Sequence, residues 1–267
     1  MRMFGVLTQN KSHSLVSALL LFTILLVFNE GIVNAASSTC PSTNTVINSS
    51  VYIGCSPPIN GSLEVTSAGI INKSGSGPAV VNQNSPTSFS NAGKIESIDD
   101  AAIYNWARAE IKLINNTGSI IADPFGADGI INRGTIGVAG DSTKGLLNLS
   151  GGMISGGHSG IYNTFHTGDP SLKGTITYLS NAGSILGWGA TGSAILNDTT
   201  IGVAGDSTMG LFNLSEGTIG GVGAGISNST AGTITYLSNA GTISGGSGAS
   251  QYGINNSGTI VTLTNTG

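Results

Sequence analysis

The aspartates are the first residues to weigh for chemistry, because only 8% of this chain is charged. They are Asp99 with Asp100, Asp123 with Asp128, Asp141, Asp169, Asp198 and Asp206. Two carboxylates facing one another across a groove, one protonated and one ionised, would suit acid–base cleavage of a polysaccharide. Asp141 and Asp206, however, hold the same place in a duplicated "AGDST" stretch, as a structural turn residue would. Asp99-Asp100 lies in "ESIDDAAI", which reads as a solvated loop. His158 in "GGHSG" and His166 in "TFHTGDP" are eight residues apart in loop-like sequence, and His13 belongs to the N-terminal segment. Zinc needs three or four N, S or O ligands, and no further set joins these histidines, so they are read as surface residues. A Ser-His-Asp triad could be drawn in many ways from so serine-rich a chain, and none is assigned.

Calcium-binding β-rolls carry G-G-x-G-x-D repeats. Here "GGSGAS" (245–250) has Ser where the Asp should stand, and "GGVGAG" (220–225) has Gly, so the carboxylate ligands are missing. No Gly-Lys-Ser/Thr follows these glycines, which excludes a phosphate loop. The expectation is a protein without catalytic, metal or cofactor residues. One stretch breaks the uncharged pattern: "AIYNWARAEIKLIN" (102–115) carries Trp106, Arg108, Glu110 and Lys112. Alternating side chains on an extended strand share a face, so these four form a candidate contact patch, with packing at a loop as the plainer alternative. Trp188 in "LGWGATG" and the segment "YNTFHTGDP" (162–170) are similar irregularities.

The elements that would position such residues are legible in the repeats. The unit apolar-x-Asn-x-Gly-x-Ile occurs as Asn91-Gly93-Ile95, Asn132-Gly134-Ile136, Asn181-Gly183-Ile185 and Asn239-Gly241-Ile243, among other copies. "TITYLSNAGSI" (175–185) returns as "TITYLSNAGTI" (233–243), and "TIGVAGDSTKGLLNLS" (135–150) as "TIGVAGDSTMGLFNLS" (200–215). "HTGDPSL" (166–172) has no counterpart in the second copy, so it is expected on a surface loop. Informative residues at every second position signal extended chain, while Gly, Asn, Thr and Ser disfavour helix. Glycine is expected to supply positive φ at sharp corners, and asparagine to bond its own backbone or a stacked copy of itself. A single unit cannot bury its apolar face, so the copies must stack.

The fold expected is all-β, a right-handed parallel β-helix. Motif spacing leaves two coil lengths open, about 16 or about 22 residues, and about ten coils would rise some 50 Å. Residues 1–35 read as a signal peptide, with Arg2 and Lys11 before an apolar run from Leu15 to Phe28 and small residues Val33 and Ala35 at the cleavage site. Residues 36–62 read as an N-terminal cap, where Cys40 and Cys55 are expected to form a disulfide after export. Residues 63–267 are the repetitive β-helix, and the chain ends inside a repeat, as a truncated one would. With a net charge of −4 and no basic cluster, nucleic acid is excluded as a partner.

The patterns "GINNSGTIVTLTNTG" and "YLSNAGTISGG" resemble the passenger domains of Gram-negative autotransporters, adhesin-like ones especially, over about residues 63 to 267. The resemblance implies a β-helix shown at the cell surface or secreted, reaching the membrane only through a C-terminal barrel. No segment near Gly267 reads as that barrel, so it is absent from this chain. The expected function is a non-enzymatic adhesin or spacer whose partners are host or bacterial surface carbohydrate or protein, with self-association of rods as a variant. A polysaccharide lyase or hydrolase on the same fold is the alternative. It requires Asp123, Asp128 and Asp198 in one groove.

Overall fold

The computed structural model describes residues 31–32, 45–51, 61–83, 87–123, 125–247 and 251–267. Cys40 and Cys55, and with them the expected disulfide, lie outside the described residues, as does most of the segment read as a signal peptide. Every regular element described is a β-strand. The strands fall into three large sheets, here A, B and C, whose neighbours pair in parallel. The chain visits A, B and C in turn and then begins again one level up. One such coil runs through Thr87–Asn91 in A, Lys94–Ser97 in B and Ile103–Asn105 in C, and returns to A at Glu110–Asn116. This is a solenoid of stacked coils, compatible with the expected parallel β-helix.

Equivalent asparagines one coil apart are separated by 23 residues at the shortest and 34 at the longest. Both coil lengths expected from motif spacing were therefore too short. The reason is that the Asn-x-Gly-x-Ile motif marks two different corners of one coil. Asn91, Asn181 and Asn239 close A strands at the A/B corner, whereas Asn132 closes a C strand at the C/A corner. Fewer, longer coils make a shorter rod, roughly 40 Å at the spacing of paired strands.

The interior is a set of self-stacking columns. Ile95, Ile120, Ile154, Ile185 and Ile219 align through sheet B. Ile103, Ile130, Ile161, Ile195 and Ile226 do so through sheet C. Ile111, Ile136, Ile176, Ile201 and Ile234 align through sheet A. All are essentially inaccessible to water. A β-branched side chain fits the pleat, and each one buried contributes about 1.5–3 kcal/mol relative to exposure.

Two asparagine ladders line the corners. At the A/B corner, Asn91, Asn116, Asn148, Asn181, Asn213, Asn239 and Asn265 each donate Nδ2 to the Oδ1 of the next, at 2.7–2.8 Å. At the C/A corner Asn82, Asn105, Asn132, Asn163, Asn197, Asn228 and Asn256 form the same kind of ladder, at 2.7–2.9 Å. Most of these amides also donate to a backbone carbonyl of the coil above, as Asn116 does to Met153. An uncharged amide offers one acceptor and two donors, so a rung can bond the next amide and a backbone carbonyl at once; ionised Asp has no donor and Ser has only one. The A/B ladder ends where the pattern ends. Val65 lies opposite Asn91, and Asn91 Oδ1 is buried without a donor.

The motif glycines correct the expectation about them. Gly93, Gly134, Gly183 and Gly241 are absent from the residues with positive φ. Their need for glycine is close approach: a Cβ on Gly183 would lie 2.2 Å from the carbonyl oxygen of Gly152 in the coil below, and one on Gly241 2.3 Å from that of Gly217. Positive φ is used at other glycines, among them those of two loops that interrupt sheet A. The loop after Ile136 begins at Gly137 with φ 101° and rejoins the sheet at Gly145 with φ 138°. Here a Cβ would meet Thr177 Oγ1 and the Tyr178 carbonyl oxygen, and at Gly202 and Gly210 it would meet Thr235 Oγ1 and the Tyr236 carbonyl oxygen. The Thr-Tyr pair of "TITYLSNAG" thus covers the base of each "GVAGDST" loop. That explains why the two sequences recur together.

Candidate functional site

Departures from this regularity concentrate on the outer face of sheet C and its corners. Parity puts Tyr104, Ile131, Tyr162 and Leu196 on that face, in register from coil to coil. At the C/A corner, the segment absent from the second repeat forms an antiparallel hairpin, Phe165–His166 with Asp169–Lys173. Gly174 N donates to Thr164 O at 2.8 Å and closes its base, so the coil continues undisturbed beneath it. The hairpin is on the surface, as its insertion in the repeat required.

It lies against the Trp106 corner. The rings of Trp106 and His166 are 5.9 Å apart, those of Tyr104 and Trp106 5.1 Å, and the Arg133 guanidinium sits 5.2 Å over Tyr104. Such tilted ring pairs and a cation over a π face hold the cluster in one arrangement. Trp106 still exposes about 36% of its surface. Arg108 turns the corner with φ 69°, which no other described non-glycine residue shares. Asp169 feels Arg108 and His166, but its carboxyl is held below the ordinary range chiefly by hydrogen bonds from Ser171 Oγ and N. Of the four residues expected to form one patch, Trp106 and Arg108 sit at this corner. Glu110 and Lys112 follow on the outward side of the A strand Glu110–Asn116. The patch bends around an edge instead of lying on one strand face.

A second group crosses sheet C. His158 Nδ1 donates to Asp128 Oδ1 at 2.9 Å, and Ser159 Oγ donates to the same oxygen. The His158 and Tyr162 rings meet edge-on at 5.4 Å, and Tyr162 OH donates to Asp198 Oδ2 at 2.8 Å. The hydrogen bond to Asp128 raises the His158 pKa above its ordinary value, and burial raises that of Tyr162. These residue types invite comparison with a hydrolytic triad, but the geometry differs. Serine and Nδ1 share one carboxylate oxygen, whereas a triad needs the serine on the far ring nitrogen. Asp123 lines a groove with Asp99, the exposed Phe125 and Ala127, the residue before Asp128.

Asp141 and Asp206 are turn residues, as their duplication implied. Each accepts from the N and Oγ1 of the threonine two positions on. Among the described residues no helix is long and apolar enough to cross a membrane, and no three His, Cys, Asp or Glu side chains converge to hold a metal ion. Reasoning on the sequence missed Tyr104, Arg133 and His166 as one cluster with Trp106, and Asp128 as the partner of His158. The signal was present only in coil register, because Asp128 and His158 are 30 residues, one coil, apart. No protein-family model, curated protein or solved structure matches this chain.

Proposed function

We propose that this chain is an exported, surface-displayed or secreted β-helix, autotransporter-passenger-like, that works as a non-enzymatic adhesin or spacer. A right-handed winding is part of the reading, since parallel crossovers take that hand in about 98% of cases. The observation that carries it is the contrast of the Tyr104–Trp106–His166 cluster, partly exposed and braced by a hairpin, with an interior that repeats itself. A rigid aromatic with a cation beside it is the kind of anchor that dominates contact with a surface carbohydrate or protein. The stiff solenoid beneath holds the anchor away from the surface that bears it.

Labelled chain retained on host epithelial and bacterial cells tests this. Trp106→Ala is expected to weaken retention about 30-fold, the effect of losing a hot-spot aromatic, with the circular dichroism spectrum unchanged. Retention unaffected by Trp106→Ala and by His166→Ala would remove the patch from the proposal. A polysaccharide lyase or hydrolase is the second reading, favoured by the chain of contacts that runs from Asp128 through His158 and Tyr162 to Asp198. Release of new reducing ends from polysaccharide, abolished by Asp198→Asn, would establish it instead.

A further inference from the structure

Sheet A carries a feature that neither the adhesive corner nor the repeats account for. The rings of Tyr178, Phe212 and Tyr236 stack up its outer face, 5.2 and 5.5 Å apart. Above the second "GVAGDST" loop this aromatic column opens into a groove of about 370 Å³. Tyr236 and Thr235 are on one side, Val261 and Thr262 lie one coil further up, and Val203 and Asp206 overhang from the loop. We propose that this groove binds one neutral sugar unit of an oligosaccharide, stacked on Tyr236 and held through its hydroxyls by Asp206 and the threonines.

The chemistry of the lining selects that class. No lysine, arginine or histidine lines the groove, so phosphate, sulfate and uronate groups would meet only the negative charge of Asp206. Hydrogen bonds from Thr208 hold that carboxyl below the usual carboxylate range, and it is ionised at neutral pH. They engage Oδ1 alone, and the turn makes no use of the other oxygen. A purely apolar ligand would leave that charge unmatched, whereas a sugar offers hydroxyl donors at its rim and C–H groups to an aromatic face. The loop is already shaped for the task, closed by its own turn and by pairing of Val203 with Asp206.

The molecule contains its own control. The first loop repeats the same elements, with Asp141 capped by Thr143 and Tyr178 in the coil above. Two coils above that loop, however, the second loop leaves the sheet after Ile201, where strand Thr259–Asn265 runs uninterrupted above the later one. The place held by Val261 and Thr262 at the open groove is thus taken by the base of a loop at the earlier one. One site per chain is expected, not two.

The experiment titrates the full chain with cellotriose, maltotriose and chitotriose, and with trigalacturonate as the acidic comparison, by isothermal calorimetry and saturation-transfer NMR. At least one neutral trisaccharide is expected to bind at one site per chain, with trigalacturonate at least tenfold weaker. Tyr236→Ala should weaken binding by about tenfold or more, the loss of one stacking partner, and Tyr236→Phe should retain it. Asp206→Asn, which keeps an acceptor for Thr208, should also weaken it, while Tyr178→Ala and Asp141→Asn leave it unchanged. Failure of all three neutral sugars to bind would overturn the proposal. So would equal binding of trigalacturonate, or equal losses from the Tyr178 and Tyr236 variants. Trp106→Ala should not alter this binding, so failure here and failure of the adhesive corner are told apart.

Discussion

The asparagine ladder at the A/B corner and the outer face of sheet C lie on the same coils but follow opposite rules. In the ladder, a residue is fixed by what lies directly above and below it: Asn148 accepts from Asn116 and donates to Asn181, Gly152 and Ser184. On sheet C, neighbours in register differ: Tyr104, Ile131, Tyr162, Leu196. The difference teaches where variation is permitted. A buried polar column fails if one member is missing, since the neighbours keep their desolvation cost, whereas an outer position answers only to solvent and to whatever binds there.

Four substitutions, in three experiments, probe that contrast. The largest effect is expected from Asn148→Ala, which leaves Asn181 Oδ1 without its donor and removes the acceptor for Asn116 Nδ2. About 2–5 kcal/mol of stability should be lost in urea unfolding; a loss below about 1 kcal/mol would mean the ladder does not bind coil to coil. Next come two glycines of one loop. Gly145→Ala combines φ 138° with a Cβ 2.3 Å from the Tyr178 carbonyl oxygen and should cost about 2–3 kcal/mol. Gly140→Ala, with φ 77° in open space, should cost only about 1 kcal/mol. Equal costs would show that the covering Thr-Tyr pair is irrelevant to the loop.

The smallest effect is a pH dependence on sheet C. His158 has a folded pKa raised above 6.5, mainly by its hydrogen bond to Asp128. Its stabilisation is therefore complete below that unfolded value and is lost as the pH rises through the higher folded one. Because His158 is almost half exposed, the melting temperature should fall by only ~1–3 °C across this window, and His158→Gln should abolish the slope. An unchanged slope in the variant would dissociate His158 from it.

The parallel stacking was legible because it rests on local alternation: Leu179, Asn181, Gly183 and Ile185 each point inward, as the spacing of two requires. The role of glycine was misread because the carbonyl that excludes a Cβ at Gly183 belongs to Gly152, one coil away in the chain. The patch was found in part. Trp106 announced itself by breaking a plain pattern, but His166 and Arg133 join it only through the winding of the coils.

By itself the sequence determined that inward residues alternate with outward ones, that like residues stack on like, and that the 166–172 insertion must leave the core. All three follow from short-range geometry and from the impossibility of burying one repeat alone. Only the tertiary structure decided which corner each motif occupies. Asn132 and Asn181 sit in the same Asn-x-Gly-x-Ile motif, and what separates them is their partners, Asn163 and Asn213, each about one coil away. That choice is made by summing contacts around the whole coil, and no window of seven residues contains it.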